Sequence, residues 1–319
     1  MTCRVTTDAA MAADVLRSGG LVALPTETVY GLGADATNPA AVARIFAAKQ
    51  RPAFDPLIVH LASLAQWPTV ATELPPRAAQ LATRFWPGPL TLVLPKQPGI
   101  SDLVTSGLPT VGVRVPRHPL MHAMLELAGC PIAAPSANRF GRLSPTRAEH
   151  VVEQLGDVID LILDGGPCAV GVESTIVRPD SDGVTILRLG GLSVEDIAAV
   201  VGPVRVATTE SPTAPEAPGM LPQHYAPRTP IALASAVPVA PSGSRWGLLT
   251  LQPAACDGYV AIESLTAEGD LIQAAARFFA ALHRLDGLAL DRIIAVEFPE
   301  HGLGRAINDR LRRAAATKK

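Results

Sequence analysis

Two hydroxyls, a carboxylate and a phenol stand beside two glycines in Pro25-Thr26-Glu27-Thr28-Val29-Tyr30-Gly31-Leu32-Gly33, directly after an apolar run. Such a loop can fold close around a small polar ligand, and it can equally be a turn whose threonines bond to their own backbone. Lys49 and Arg51 end the next helical stretch, and Asp55-Pro56-Leu57-Ile58-Val59-His60 leads on from it. Cations there complement a helix dipole, and a guanidinium is also the best side chain for a phosphate oxygen. His60, at a strand end, is either an ordinary partly buried imidazole or a ligand-facing one. In Thr110-Val111-Gly112-Val113-Arg114-Val115 the residues Thr110, Gly112 and Arg114 share one face of a strand and the valines the other. A fixed arginine on that face can pair with a carboxylate through two nitrogens.

Further polar loops follow the same plan. Ala134-Pro135-Ser136-Ala137-Asn138, with Gly141 and Ser144 after it, leaves a strand and runs into a helix. Its small side chains let backbone N–H groups approach an anion, although Ser144 before Pro145 also suits a plain turn. Asp164-Gly165-Gly166, then Gly171-Val172-Glu173-Ser174-Thr175 and Ile186-Leu187-Arg188, add a hydroxyl and a second isolated arginine. No G-x-x-x-x-G-K-[ST], H-E-x-x-H, G-x-S-x-G or kinase set occurs, so a nucleotide would be held by some other arrangement. Cys3, Cys130, Cys168 and Cys256 form no C-x-x-C pair, which argues against zinc and fits reduced thiols in a cytosolic protein. A net charge of -2 offers no broad field for a phosphate backbone and leaves only a local basic cleft as a footing for RNA.

These loops need strands behind them. A chain of 319 residues, 48% hydrophobic and 18% charged, predicts two compact α/β domains. Strands are expected at 21–24, 57–61, 90–94, 111–115, 132–134, 161–163, 175–177 and 184–187; several lack an intervening helix, so the sheet is expected to be mixed. Asn38-Pro39 reads as a helix N-cap and first-turn proline, with Val42, Ile45 and Phe46 on the buried stripe. Thr146 with Glu149, and Ser193 with Asp196, resemble capping boxes. The composition from about Gly202 to Pro230 turns to Pro, Thr, Ala and Glu without period, the mark of a connector. The expected division is therefore 1–205, a linker at 206–230, and a smaller Rossmann-like layer at 231–319. In that layer 231–233, 246–251, 259–262 and 293–296 read as strands. Leu271, Ile272, Ala275, Phe278, Phe279, Leu282 and Leu285 recur at helical spacing as core. The closing Arg310, Arg312, Arg313, Lys318 and Lys319 read as a solvated helix end and tail. No targeting segment or membrane-length run is visible, and a cytoplasmic protein without a membrane partner is expected.

The phrases PTETVYGLG, K-x-R-P with PLIVH, PGPLT, TVGVRVP, APSAN with GRLSPT, DGG, GVEST and ILRLG, in this order, resemble the threonylcarbamoyl-AMP synthase family, the YrdC-like proteins. Pro218-Gly219-Met220 followed by His224-Tyr225-Ala226-Pro227, with about ninety residues beyond, resembles its long two-domain form. The resemblance implies a twisted mixed sheet around a deep concave cleft in which L-threonine and ATP lie side by side. It implies Thr28, His60, Arg114, Ala134 and Ser174 around threonine, with Arg114 on the carboxylate. Around ATP it implies Arg51, Asp55, Thr110, Ser136, Ser144 and Arg188, with His224 and Tyr225 closing over the nucleotide and Lys49 and Asn138 auxiliary. The implied reaction joins threonine, bicarbonate and ATP, with magnesium on the nucleotide and no protein nucleophile. Its product would pass to a tRNA threonylcarbamoyl transferase complex. The sequence departs from the family pattern at Asp55, where many relatives have Asn, at Leu143 and Leu189, which replace prolines, and at Ala217, which replaces a serine. The competing reading is a module of this fold that binds double-stranded RNA or tRNA without adenylation, against which the absence of a basic excess weighs. A hydrogenase-maturation carbamoyl transferase would carry C-x-x-C pairs and an acylphosphatase-like segment, and both are missing.

Overall fold

The computed structural model describes residues 3–207, 217–220 and 224–316. Among them, eleven strands form one mixed sheet in the spatial order Arg4–Thr6, Leu161–Leu163, Val22–Leu24, Gly31–Asp35, Ile132–Ala133, Ile58–His60, Thr110–Arg114, Leu90–Pro95, Thr175–Asp180, Gly183–Arg188, Arg205–Val206. Parallel and antiparallel neighbours both occur, as the scarcity of crossover helices predicts. A second sheet, wholly parallel, orders Ile231–Ala234, Arg292–Val296, Trp246–Thr250 and Ala261–Ser264. The helices Leu271–Asp286 and Gly304–Ala315 pack with it. No helix among the described residues is long and apolar enough to cross a membrane.

The strand ends deliver the polar loops to one place. Ile58, Val59 and His60 pair in parallel with Gly112, Val113 and Arg114, so the register itself sets His60 beside Arg114. The helix Pro39–Lys49 starts as its sequence predicts, with Asn38 Oδ1 accepting from Ala40 N and Ala41 N, and it ends on Gln50 in the left-handed region. That stop turns Arg51 inward, where both it and Lys49 are buried.

Several expectations need correction. The strand Gly31–Asp35 begins within the stretch 25–33 read as a loop and runs past its end; glycines favour strands poorly, but this one is clasped between Val22–Leu24 and Ile132–Ala133. Arg4–Thr6 is an edge strand too short and polar to stand out. Thr146 does not cap the helix Ala148–Leu155: Arg147 holds the N-cap position without a side-chain bond, and Thr146 N donates to His150 Nδ1. Ser193 and Asp196 do form a reciprocal capping box. Ile272 is 68% exposed on the first turn of its helix, whereas Ala275, Phe278, Phe279, Leu282 and Leu285 are fully buried. Arg310 and Arg313 are buried and not solvated, while Arg312 is half-exposed and paired with Glu300. Arg310 packs inward because acceptors await it across the molecule. Lys318, Lys319 and the connector residues 208–216 and 221–223 lie outside the described residues.

Candidate active site

A cavity opens where these strand ends meet. Thr26, Thr28, Arg51, His60, Arg114, Ala134, Ser136, Glu173, Ser174 and Arg188 line it, and Pro218, Gly219, His224 and Tyr225 from the connector cover it. Its free volume is about 40 Å³, room for little more than a water or two, whereas small-molecule sites run to roughly 300–1,000 Å³. Pro218, Gly219, His224 and Tyr225 are part of the lining that leaves so little room.

One half of the cavity is organised by Arg114. Its Nη1 donates to Thr28 Oγ1 at 2.9 Å, its Nε donates to the Gly88 carbonyl at 3.2 Å, and Nη2 lies 2.8 Å from Glu27 Oε1. His60 stands beside it, and burial together with the Arg114 charge pushes the imidazole down to about 3, so the ring is neutral. Thr91 Oγ1 and Ser174 Oγ lie 2.8 Å apart, and Arg188 Nη2 donates to Ser174 Oγ at 3.1 Å and to its carbonyl at 3.0 Å. Arg188 Nη1 donates to the Pro218 carbonyl at 2.9 Å, so this one side chain ties the cavity wall to the connector.

The other half is cationic. Arg51 Nε donates to the Asp55 carbonyl at 3.1 Å and Nη2 to the Pro56 carbonyl at 2.9 Å, while Asp55 Oδ2 is 2.9 Å from Nη2. Lys49, 1% exposed, donates to the carbonyls of Ser136 and Asn138. The Asn138 amide donates to the Arg139 and Arg142 carbonyls, which closes the loop below. Burial, then the Arg51 charge, pushes the Lys49 ammonium well below its ordinary range. His224 is stacked edge-on to Tyr225, with ring centroids 4.1 Å apart.

Of the residues singled out in the sequence, Thr28, His60, Arg114, Ala134, Ser174, Arg51, Ser136, Arg188, His224 and Tyr225 line this one cavity. Asp55 sits behind Arg51, and Ser144 sits behind Glu173, whose Oε1 accepts its hydroxyl at 2.5 Å. Asn138 acts through Lys49, which faces an adjoining cavity with Arg139 and Arg142. Thr110 is not brought in; it lines a separate hollow with Pro56 and Pro218. Three participants were not assigned to the site from sequence: Glu27 and Glu173, seen only as members of their loops, and Arg310, read as solvated. Each is a charged side chain buried against an opposite charge far along the chain, and only the order of strands brings such partners together.

The chain matches two family descriptions in succession. Residues 14–190 match the Sua5/YciO/YrdC family, described as "Telomere recombination", and residues 192–316 match "Threonylcarbamoyl-AMP synthase, C-terminal domain". The threonylcarbamoyl-AMP synthase of Bacillus subtilis is 44% identical over 96% of this chain and 92% of its own. That of Pyrococcus abyssi is 41% identical over 96% and 93%. The crystal structure of P. abyssi Sua5 complexed with L-threonine superposes with a TM-score of 0.91 at 38% identity, covering 99% of this chain and 98% of that one. With both halves matched in order and the fold shared along its whole length, the chain belongs to the Sua5/YrdC family of threonylcarbamoyl-AMP synthases.

Proposed function

We propose that this protein is an L-threonylcarbamoyladenylate synthase. It converts L-threonine, bicarbonate and ATP into threonylcarbamoyl-AMP and pyrophosphate, the activated intermediate for N6-threonylcarbamoyladenosine at position 37 of tRNA. The observation that carries this reading is one cavity that brings together a polar corner at Thr28, His60, Arg114 and Ser174 and a cationic wall at Arg51 and Arg188. A relative 38% identical has been crystallised with L-threonine.

The chemistry asks for placement and charge. The threonine amine attacks bicarbonate with loss of water, or carbon dioxide with loss of a proton, to give a carbamate, and a carbamate oxygen then attacks the α-phosphorus, expelling pyrophosphate. Arg114 takes the threonine carboxylate, already aimed by its bonds to Thr28 and Gly88. Neutral His60 and the Ser174 hydroxyl orient the amino acid without adding charge. Arg51 and Arg188 offset the negative charge that gathers on the phosphates, and Ser136 completes the ATP side. His224 and Tyr225 close over the nucleotide.

Magnesium would enter on the ATP phosphates as part of that substrate. The buried carboxylates Glu27, Asp55 and Glu173 are each engaged by an arginine, and no group of three acidic, histidine or cysteine side chains among the described residues could hold a metal ion. A metal held mainly by phosphates fits this donor set, and a cage made of protein ligands does not.

The test is pyrophosphate release by purified protein. Release only when ATP, L-threonine and bicarbonate are all present supports the reading, and the product is captured by adding tRNA with its threonylcarbamoyl transferase complex. A protein that binds RNA but releases no pyrophosphate overturns it.

A further inference from the structure

Arg310 belongs to the helix Gly304–Ala315 of the second sheet's domain, yet it is 0% exposed and heads the fully buried side chains by size. Its Nε donates to Glu173 Oε2 at 2.9 Å, 137 residues away, and its Nη1 to Asp309 Oδ2 at 2.8 Å. The guanidinium carbon lies 5.1 Å from the centre of the Tyr225 ring. A guanidinium taken out of water is costly unless its geometry is excellent, and here Nη2 still has no hydrogen-bond partner. Simple core packing would favour an apolar side chain at such a place.

Two of its three contacts, Glu173 and Tyr225, belong to the cavity. Glu173 lines the wall, Tyr225 belongs to the cover, and the other Glu173 oxygen accepts from Ser144. A second residue of the same domain reinforces the loop: His283 Nε2 lies 3.2 Å from the Ser144 carbonyl, and its ring stacks on His150 at 3.8 Å. The first domain's wall is thus gripped by the second at Ser144 through both its main chain and, by way of Glu173, its side chain. Unpaired, Glu173 would present a bare carboxylate in a pocket that must accept a polyphosphate.

We propose that Arg310 is a positioning residue of the adenylating site, fixing the Glu173 carboxylate on the cavity wall and the Tyr225 ring above it. The inference rests on the synthase reading, and it gives the second domain a task in ATP binding. Burial acts to raise the Glu173 carboxyl, but Arg310, then Arg188 and the Ser144 hydroxyl, bring it below its ordinary range, in keeping with an ionised partner.

The experiment compares wild type, R310M, R310K, E173Q and the double variant E173Q/R310M in steady-state pyrophosphate release, with ATP and threonine varied separately and thermal unfolding recorded. Wild-type protein without release refutes the synthase reading itself. Given wild-type activity, R310M raises KM for ATP roughly tenfold or more, the loss of one charge-assisted contact, with KM for threonine changed much less. R310K recovers part of this, and the double variant binds ATP better than R310M because the bare carboxylate is gone. If R310M lowers only the unfolding temperature, shifts both KM values alike, or adds independently to E173Q, the proposal is wrong. Should R310M fail to fold, E173Q and R310K still test it, because coupling through the pair requires both to shift KM for ATP selectively.

Discussion

Glu27 grips Arg114 from behind: its Oε1 lies 2.8 Å from Arg114 Nη2, both residues are buried, and Arg114 alone of the two faces the cavity. Glu27 Oε2 also accepts from Arg117 N at 3.1 Å, which anchors the carboxylate to the segment following the Arg114 strand. An arginine held in this way keeps its remaining donors aimed with little entropy to lose on binding.

Replacing Arg114 by Ala is expected to weaken threonine binding by about 10–100-fold, the worth of a hydrogen bond to a charged group, with ATP binding changed far less. Glu27→Gln, which alters no cavity-lining atom, should reproduce part of that loss. Calorimetric titrations with each substrate check both; equal losses for threonine and ATP would remove the assignment of Arg114 to the carboxylate.

How much of this was legible beforehand varies with the physical scale. Strands such as Leu161–Leu163 and Leu90–Pro95 are local apolar runs, and periodicity finds them. Motif phrases located Arg51, Arg114, Ser174 and Arg188, because each stands at the border of a local element: Arg114 and Arg188 end strands, Ser174 immediately precedes one, and Arg51 follows a capped helix. Gly31–Asp35 was opaque, since its glycines are explained only by neighbours: a Cβ on Gly33 would lie 2.4 Å from Leu24 Cδ1. Arg310 was opaque for a deeper reason. A basic residue near a helix end is ordinarily solvated, and nothing local announces that Glu173 waits in another domain.

The buried pair Arg51–Asp55 predicts a nucleotide-dependent stability effect. Burial lifts the Asp55 carboxyl even as Arg51 pulls it down, so the pair is held at a cost that only mutual neutralisation offsets. Asp55→Asn keeps the shape and leaves Arg51 uncompensated, which is expected to destabilise the free protein by about 3 kcal/mol. Phosphates would restore the missing charge, so ATP should raise the melting temperature of the variant more than that of the wild type. Differential scanning fluorimetry with and without ATP reads this, and an unchanged ATP-induced shift would speak against phosphate contact by Arg51.

Gly219 sets the path of the connector. Its φ is 81°, and a Cβ there would lie 2.8 Å from the Tyr225 hydroxyl and 3.2 Å from Arg188 Cδ. Gly219→Ala therefore meets both left-handed strain of roughly 1–2 kcal/mol and a steric clash. The cover should then close less often, lowering kcat at saturating substrate and exposing the connector to limited proteolysis. Gly243→Ala serves as the control, with φ at 79° and nothing within 4 Å of the added carbon; it shares the strain and should leave kcat intact.

The buried histidines fix the direction of the acid response. His60 is pushed down to about 3, and burial followed by the charges of Arg51, Lys49, Arg188 and Arg310 holds His224 well below its ordinary value of 6.5. In the unfolded chain both rings take a proton as pH falls through 6.5, while the folded protein keeps them neutral, so the unfolded state binds more protons and stability drops toward acid. Above about pH 7.5 these two rings contribute no slope, and between 6.5 and the depressed folded values each contributes roughly 1.4 kcal/mol per pH unit. Urea unfolding at pH 8, 6 and 5 checks the sign. His60→Gln removes one ring's share of the slope whatever its effect on stability at pH 8, and a slope unchanged by that substitution would mean that His60 already carries its proton in the folded state.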